Sequence, residues 1–163
     1  MSTSTDPTPE GEPLARDIMT APVITVRPEM GVKDLVALFR DQRIGGAPVV
    51  DADDKLVGIV TEGDLMAMDA DIALPHYFEI FDSIIYLESE KKFRDRVEKA
   101  AAANVEQLMT DGDKVKTVGP DDPAREAATL MSKHRFDRVP VVDDDGRVVG
   151  IVTRHDIMKI LGL

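Results

Sequence analysis

Shifted by 92 residues, the chain aligns with itself, and this duplication limits its possible folds more than any other feature. Thr25-Val26-Arg27-Pro28 meets Thr117-Val118-Gly119-Pro120. Ala47-Pro48-Val49-Val50-Asp51 meets Val139-Pro140-Val141-Val142-Asp143, and Val57-Gly58-Ile59-Val60-Thr61 meets Val149-Gly150-Ile151-Val152-Thr153. In all, 17 of 42 positions match between 25–66 and 117–158. Leu108-Met109-Thr110 also echoes Ile18-Met19-Thr20, with the shift reduced to 90. A chain built this way holds two copies of one supersecondary unit, and neither copy buries its apolar face well alone. A non-repeated insert, roughly Ala67 to Asn104, separates them.

Each copy reads as β-α-β-β-α. A short strand over Val23–Val26 stops at Pro28. Val32, Leu35, Val36 and Phe39 then recur at i, i+3, i+4 and i+7, one face of a helix. Ala124, Ala127, Ala128 and Met131 repeat that spacing. Two β-rich runs follow, Ala47–Val50 and Leu56–Val60 in the first copy. They are joined by Asp51-Ala52-Asp53-Asp54, or by Asp143-Asp144-Asp145-Gly146 in the second, which are hairpin-turn residues. A last helix begins after Thr61 and after Thr153. The predicted class is α/β, two small layered units packed into one molecule.

Composition narrows the function. The chain has 163 residues, 43% apolar, enough for a real core and too apolar for a disordered chain. A formal charge of −11 argues against a broad nucleic-acid surface, which needs a basic face. Without cysteine there are no disulfides, thiolate metal sites or Cys nucleophile. Met1 to Pro13 is a Ser/Thr/Pro/Glu-rich stretch, without the basic start and apolar run of a secretion signal, and is expected to be a disordered tail. No apolar run reaches the length of a membrane span. Together these predict a soluble, cytoplasmic protein.

The repeated Gly-Ile-Val-Thr-x-x-Asp, preceded by Pro-Val-Val-Asp and a turn, resembles the cystathionine-β-synthase (CBS) domain, and a tandem pair resembles a Bateman module. The resemblance implies CBS domain 1 over 14–68, an insert or linker over 69–104, and CBS domain 2 over 105–163, related by a pseudo-two-fold axis. It also implies a stand-alone regulatory module that senses adenosyl compounds (AMP, ADP, ATP or S-adenosylmethionine) in the cleft between domains. Homodimers are common in the family, and with no attached enzyme or transporter an output would act in trans on an unknown protein target.

Thr61-Glu62-Gly63-Asp64 and Thr153-Arg154-His155-Asp156 each sit where a strand becomes a helix. Read as residues, they are capping boxes with Asp in place of Glu, the Thr serving the first-turn amides and the Asp bonding back. The same geometry suits a nucleotide. A helix N-terminus favours an anion, and a carboxylate one turn in accepts vicinal ribose hydroxyls. The two uses are compatible, and the second is the one the resemblance implies. It adds a wall from Thr25, Val26, Ile44, Gly45, Gly46 and Ala47 in the first copy. Thr117, Val118, Phe136, Asp137, Arg138 and Val139 form that of the second. Each Asp is implied to work with the wall of the other repeat.

The copies differ in charge. Many nucleotide-binding members carry a basic residue two before the Pro of Pro-Val-Val-Asp, a position held here by Arg138 and by Gly46. Lys133, His134, Arg135, Arg154 and His155 add positive charge to the second copy, whereas the first offers Arg40 and Arg43 but carries Glu62 in its motif. Because Arg suits phosphate geometry, the site holding Arg138 is expected to bind the adenine nucleotide more tightly. Equally, these cations are a solvated helix end.

Nothing in the chain points to catalysis. His76, His134 and His155 have no metal-ligand spacing, no Walker or Rossmann loop is present, and no serine stands in a nucleophile elbow. The contiguous aspartates lack the alternation of a Ca²⁺ loop. Within the insert, Leu74–Leu87 holds four of the seven aromatics, ahead of a charged helix over Glu88–Lys99, and the insert reads as core cover or as a dimer interface. The alternative to ligand sensing is a structural or interaction module in which the Thr-x-x-Asp motifs only cap helices.

Overall fold

The computed structural model describes residues 11–72, 77–80, 83–86 and 89–161, and for 69–72 and both segments between 77 and 86 the backbone only. Residues 1–10 of the tail expected over 1–13 lie outside the described residues, as do His76 and the side chains of 69–88. In order, the elements are α1 (Ala15–Ile18), α2 (Val32–Gln42), β1 (Gly46–Val50), β2 (Leu56–Thr61), α3 (Glu62–Ile72), β3 (Tyr77–Ile80), β4 (Ser83–Tyr86), α4 (Glu90–Ala101), α5 (Val105–Leu108), β5 (Thr110–Asp111), α6 (Ala124–His134), β6 (Arg138–Val142), β7 (Val148–Thr153) and α7 (Arg154–Ile160). Sheets run β1-β2-β5, β3-β4 and β6-β7. Among the described residues no helix is long and apolar enough to cross a membrane.

Both helix-strand-strand-helix repeats form, with one change. The first strand of each copy shrinks to a single parallel bridge, Val26 to Val49 and Val118 to Val141. Val26 and Val118 donate to the carbonyls of Pro48 and Pro140 at 3.0 and 3.2 Å. Those prolines have no N–H of their own, so the ladder cannot extend backward along the chain. The helix spacing also tightens. Val32, Leu35 and Phe39 are buried, but Val36 is 45% exposed at the edge of the stripe. The aspartate runs are turns, as expected. Asp51 Oδ1 accepts from the amides of Asp53 and Lys55 at 2.8 and 3.0 Å, and Asp143 Oδ1 from those of Asp145 and Arg147, both at 2.9 Å.

The residues gather into two compact units that cross the repeat boundaries. One takes the N-terminal segment through Ile24, Val50–Leu56 and Lys114 onward; the other takes Thr25–Val49 and Val57–Asp113. In the first of these, Thr20 pairs with Ile151 of the second repeat, exchanging bonds of 2.8 and 3.2 Å. In the other, β5 runs antiparallel to β2, with Thr110 opposite Ile59 of the first repeat. Each Met-Thr segment therefore completes the other repeat, not the one it precedes in sequence. Glycine permits this close approach. A Cβ on Gly58 would meet the Thr110 carbonyl oxygen at 2.7 Å, and one on Gly150 would run into the Met19 side chain.

Each unit has its own apolar core. Ala15, Val118, Ala127, Met131, Val139, Val141 and Val152 fill one. Val26, Leu35, Phe39, Ala47, Val49, Val60 and Val105 fill the other. Except for Val105, which opens α5, the β-branched residues come from strands and the segments beside them, where they pack well on a pleated face.

Candidate functional site

The strand-to-helix corners are built the same way in both repeats. Asp64 Oδ2 accepts from the Thr61 amide at 2.7 Å and from the Thr61 hydroxyl at 3.0 Å. Asp156 Oδ2 accepts from the Thr153 amide and hydroxyl, both at 2.8 Å, and the Asp156 amide donates to Thr153 Oγ1 at 3.4 Å. The second corner is a full capping box. Asp156 is only 8% exposed. Its bonds therefore give hydrogen-bond partners to a carboxylate oxygen in a buried position. Each carboxylate spends one oxygen on its own threonine. Among the described residues the other oxygen, Oδ1, carries no hydrogen bond.

The wall segments lie beside these corners, within a repeat. The Glu62 amide donates to the Gly45 carbonyl at 3.0 Å, and the Arg154 amide to the Asp137 carbonyl at 2.8 Å. In the β6–β7 hairpin Arg138 stands directly opposite Thr153 and Val139 opposite Val152. The two strands of one hairpin end together, so each Thr-x-x-Asp lies beside the wall segment of its own repeat. Of the wall residues, Val26, Ala47, Val118 and Val139 point into the cores. Gly46 is buried, Thr25, Ile44 and Gly45 are half-buried, and Thr117, Phe136, Arg154 and His155 are exposed. The Phe136 ring stacks on that of His134, with centroids 5.5 Å apart and planes 18° from parallel.

Charge at the second corner is arranged differently from the sequence reading. Arg138, expected to be available to phosphate, makes a two-pronged bond to its neighbour: Nε donates to Asp137 Oδ1 at 2.9 Å and an Nη2 hydrogen goes to Oδ2 at 2.7 Å. Such forked, charge-assisted pairs are the strong ones. The Arg138 side chain is 14% exposed and that of Asp137 55%. The Arg138 guanidinium holds the Asp137 carboxyl below its ordinary value of 3.8; partial burial opposes this, and Arg154 adds to it. A carboxyl lowered on folding stabilises the fold above its unfolded value, and that contribution is lost as pH falls through the lowered one. Wild type should therefore exceed Asp137→Asn in denaturant midpoint at pH 7 by a small margin, because the Asp137 side chain is more than half exposed. The gap should close in acid below 3.8; a gap that widens there would contradict the assignment. The first repeat has Gly45 and Gly46 in the same places and no side-chain pair at all.

Comparison with known proteins agrees with this architecture. The model of the CBS domain family matches residues 15–71 and 105–163. The chain is 35% identical over 155 residues to the uncharacterized protein MJ1426 of Methanocaldococcus jannaschii, covering 91% of this chain and 90% of that one. It is 34% identical over 140 residues to CBSX1, a chloroplastic CBS domain-containing protein of Arabidopsis thaliana, covering 82% and 57%. Against the inosine-5′-monophosphate dehydrogenase of M. jannaschii it is 31% identical, but it spans only 23% of that enzyme. Two solved structures superpose closely. The CBS domain pair of MJ0100, in complex with 5′-methylthioadenosine and S-adenosyl-L-methionine, gives a TM-score of 0.70 at 30% identity, covering 93% and 97%. CBSX2 in complex with AMP gives 0.69 at 27% identity, covering 91% and 95%. With the family's domain matched twice, and with both copies folded as described, the chain belongs to the CBS domain family as a tandem pair.

Proposed function

We propose that this tandem pair is a regulatory module that binds adenosyl compounds at its Thr-x-x-Asp corners and acts in trans on a protein partner. The observation that carries the reading is the spare oxygen of Asp64 and of Asp156. Each carboxylate is fixed by its own threonine through one oxygen and presents the other for two vicinal ribose hydroxyls. The glycines at 45 and 46 and the backbone of 136–138 offer a wall for a flat base. Related CBS pairs bound to AMP, and to methylthioadenosine and S-adenosylmethionine, support the same ligand class. Regulation follows if the ligand binds one arrangement of the protein better than another, since only differential affinity shifts a population. Self-association as a homodimer and a cytoplasmic location complete the proposal. Light scattering of the full chain is then expected to return twice the 17.9 kDa chain mass.

The test is thermal unfolding and calorimetry with AMP, ATP, S-adenosylmethionine and a guanosyl control. A ligand that binds only the native state must raise the melting temperature. The double variant Asp64→Asn/Asp156→Asn keeps an acceptor for each cap but loses the charge. Charge-assisted hydrogen bonds are worth about 1.5–3 kcal/mol, so affinity should fall about tenfold or more at each site. A second reading has its own support, because the corners are already satisfied as helix caps. If no adenosyl compound shifts the unfolding of wild type, the motifs are caps and the chain is an interaction module.

A further inference from the structure

The two corners share Thr, Asp and backbone but not what faces them. Gly46 leaves the first without a side chain, whereas Arg138 gives the second a guanidinium at the strand position opposite Thr153. The Arg138 side chain is 14% exposed, and its Nε and Nη2 both donate to Asp137. A planar guanidinium grips a carboxylate and a phosphate with the same kind of donor fork; Asp137 takes the Nε/Nη2 edge and offsets the positive charge, so a phosphate meets a weakened Arg138. Asp137 meanwhile has its carbonyl fixed by the Arg154 amide, which keeps residue 137 beside the corner. A phosphate drawn to Arg138 would also meet the like charge of that carboxylate.

Resting on the proposed adenosyl-binding reading, we infer that Asp137 is a specificity-determining residue: by occupying Arg138 it turns the second-repeat corner away from phosphorylated nucleosides and toward adenosyl ligands whose 5′ substituent is neutral or cationic. The pair acts as an internal competitor for phosphate. The first-repeat corner, with glycines at both positions, has no such device.

Calorimetry of the full chain with adenosine and with AMP tests this. The quantity read is the ratio of the two affinities, which cancels ribose and base contacts. Asp137→Asn removes the competing charge and frees Arg138, so the ratio should move toward AMP by about tenfold, the scale of one charge-assisted contact. The side chain of Asp137 is more than half exposed, so the substitution leaves the core intact. In Asp137→Asn/Arg138→Met, which keeps much of the arginine stem volume, the gain should vanish. A ratio unchanged or lowered by Asp137→Asn overturns the inference while leaving adenosyl binding standing, and so does a gain that survives loss of Arg138. If neither adenosine nor AMP binds wild type or variant, the adenosyl reading fails and this inference fails with it.

Discussion

Truncation of Leu35 to alanine is expected to lower the unfolding free energy by about 3 kcal/mol, the middle of the range for a buried leucine whose cavity only partly collapses. Leu35 is 0% exposed and is the bulkiest fully buried side chain among the described residues. The other buried members of its core, Val26, Phe39, Ala47, Val49, Val60 and Val105, are mostly β-branched or small, while longer side chains such as Met30 and Leu65 pack only at its edge. Such side chains are stiff and cannot swing into the gap. For a chain of this size the melting temperature should fall by roughly 10 °C. Calorimetric or circular-dichroism melts would measure it; an unchanged melt would show that the core relaxes around the cavity. The second repeat places Ala127 at the matching position, also 0% exposed, with Ile18, Met19, Leu130 and Ile157 packed against its core. The two cores thus place side chains of very different size at this matched position.

Gly58→Ala is the second large effect. The added methyl would lie 2.6 Å from Met109 Sδ and 2.7 Å from the Thr110 carbonyl oxygen. The sulfur can move on a flexible side chain, but the carbonyl belongs to β5, whose register opposite Gly58 and Ile59 has no slack. Overpacking that displaces backbone costs about 1–3 kcal/mol. The cost should appear locally. Hydrogen exchange at Thr110 and Asp111 should accelerate far more than at Val141 or Val152, which sit in the other unit. Uniform acceleration across both units would instead mean that the variant unfolds as a whole.

Much of the fold is legible from residues alone because the duplication tests each reading twice. The turn aspartates, the hairpins and the helix spacing recur at a fixed shift, and both copies form. Less legible was the docking of 14–20 and 105–111. Ile18-Met19-Thr20 and Leu108-Met109-Thr110 are nearly the same tripeptide, and Gly58 and Gly150 are equivalent receivers. Local pattern cannot say which tripeptide meets which glycine; the choice is tertiary. The lost first strand was readable in principle, since Pro48 and Pro140 cannot donate the next ladder bond. At the corners, the Thr–Asp spacing announced its own hydrogen bonds. The Asp137–Arg138 pair was hidden because neighbours in a strand point to opposite faces. Asp137 escapes that rule by standing one residue before β6 begins.

The crossing of Thr20 to Ile151 bears on how the chain is made. A ribosome releases residues from the N-terminus onward, at about 5–20 per second. Thr110 follows Ile59 within one stretch of nascent chain, so that unit can close while synthesis continues. Thr20 must wait for Ile151, near the far end of the chain, a delay on the order of ten seconds. Through that interval Ile18 and Met19 have no finished core to enter. Translation therefore imposes an order of assembly that refolding from denaturant does not.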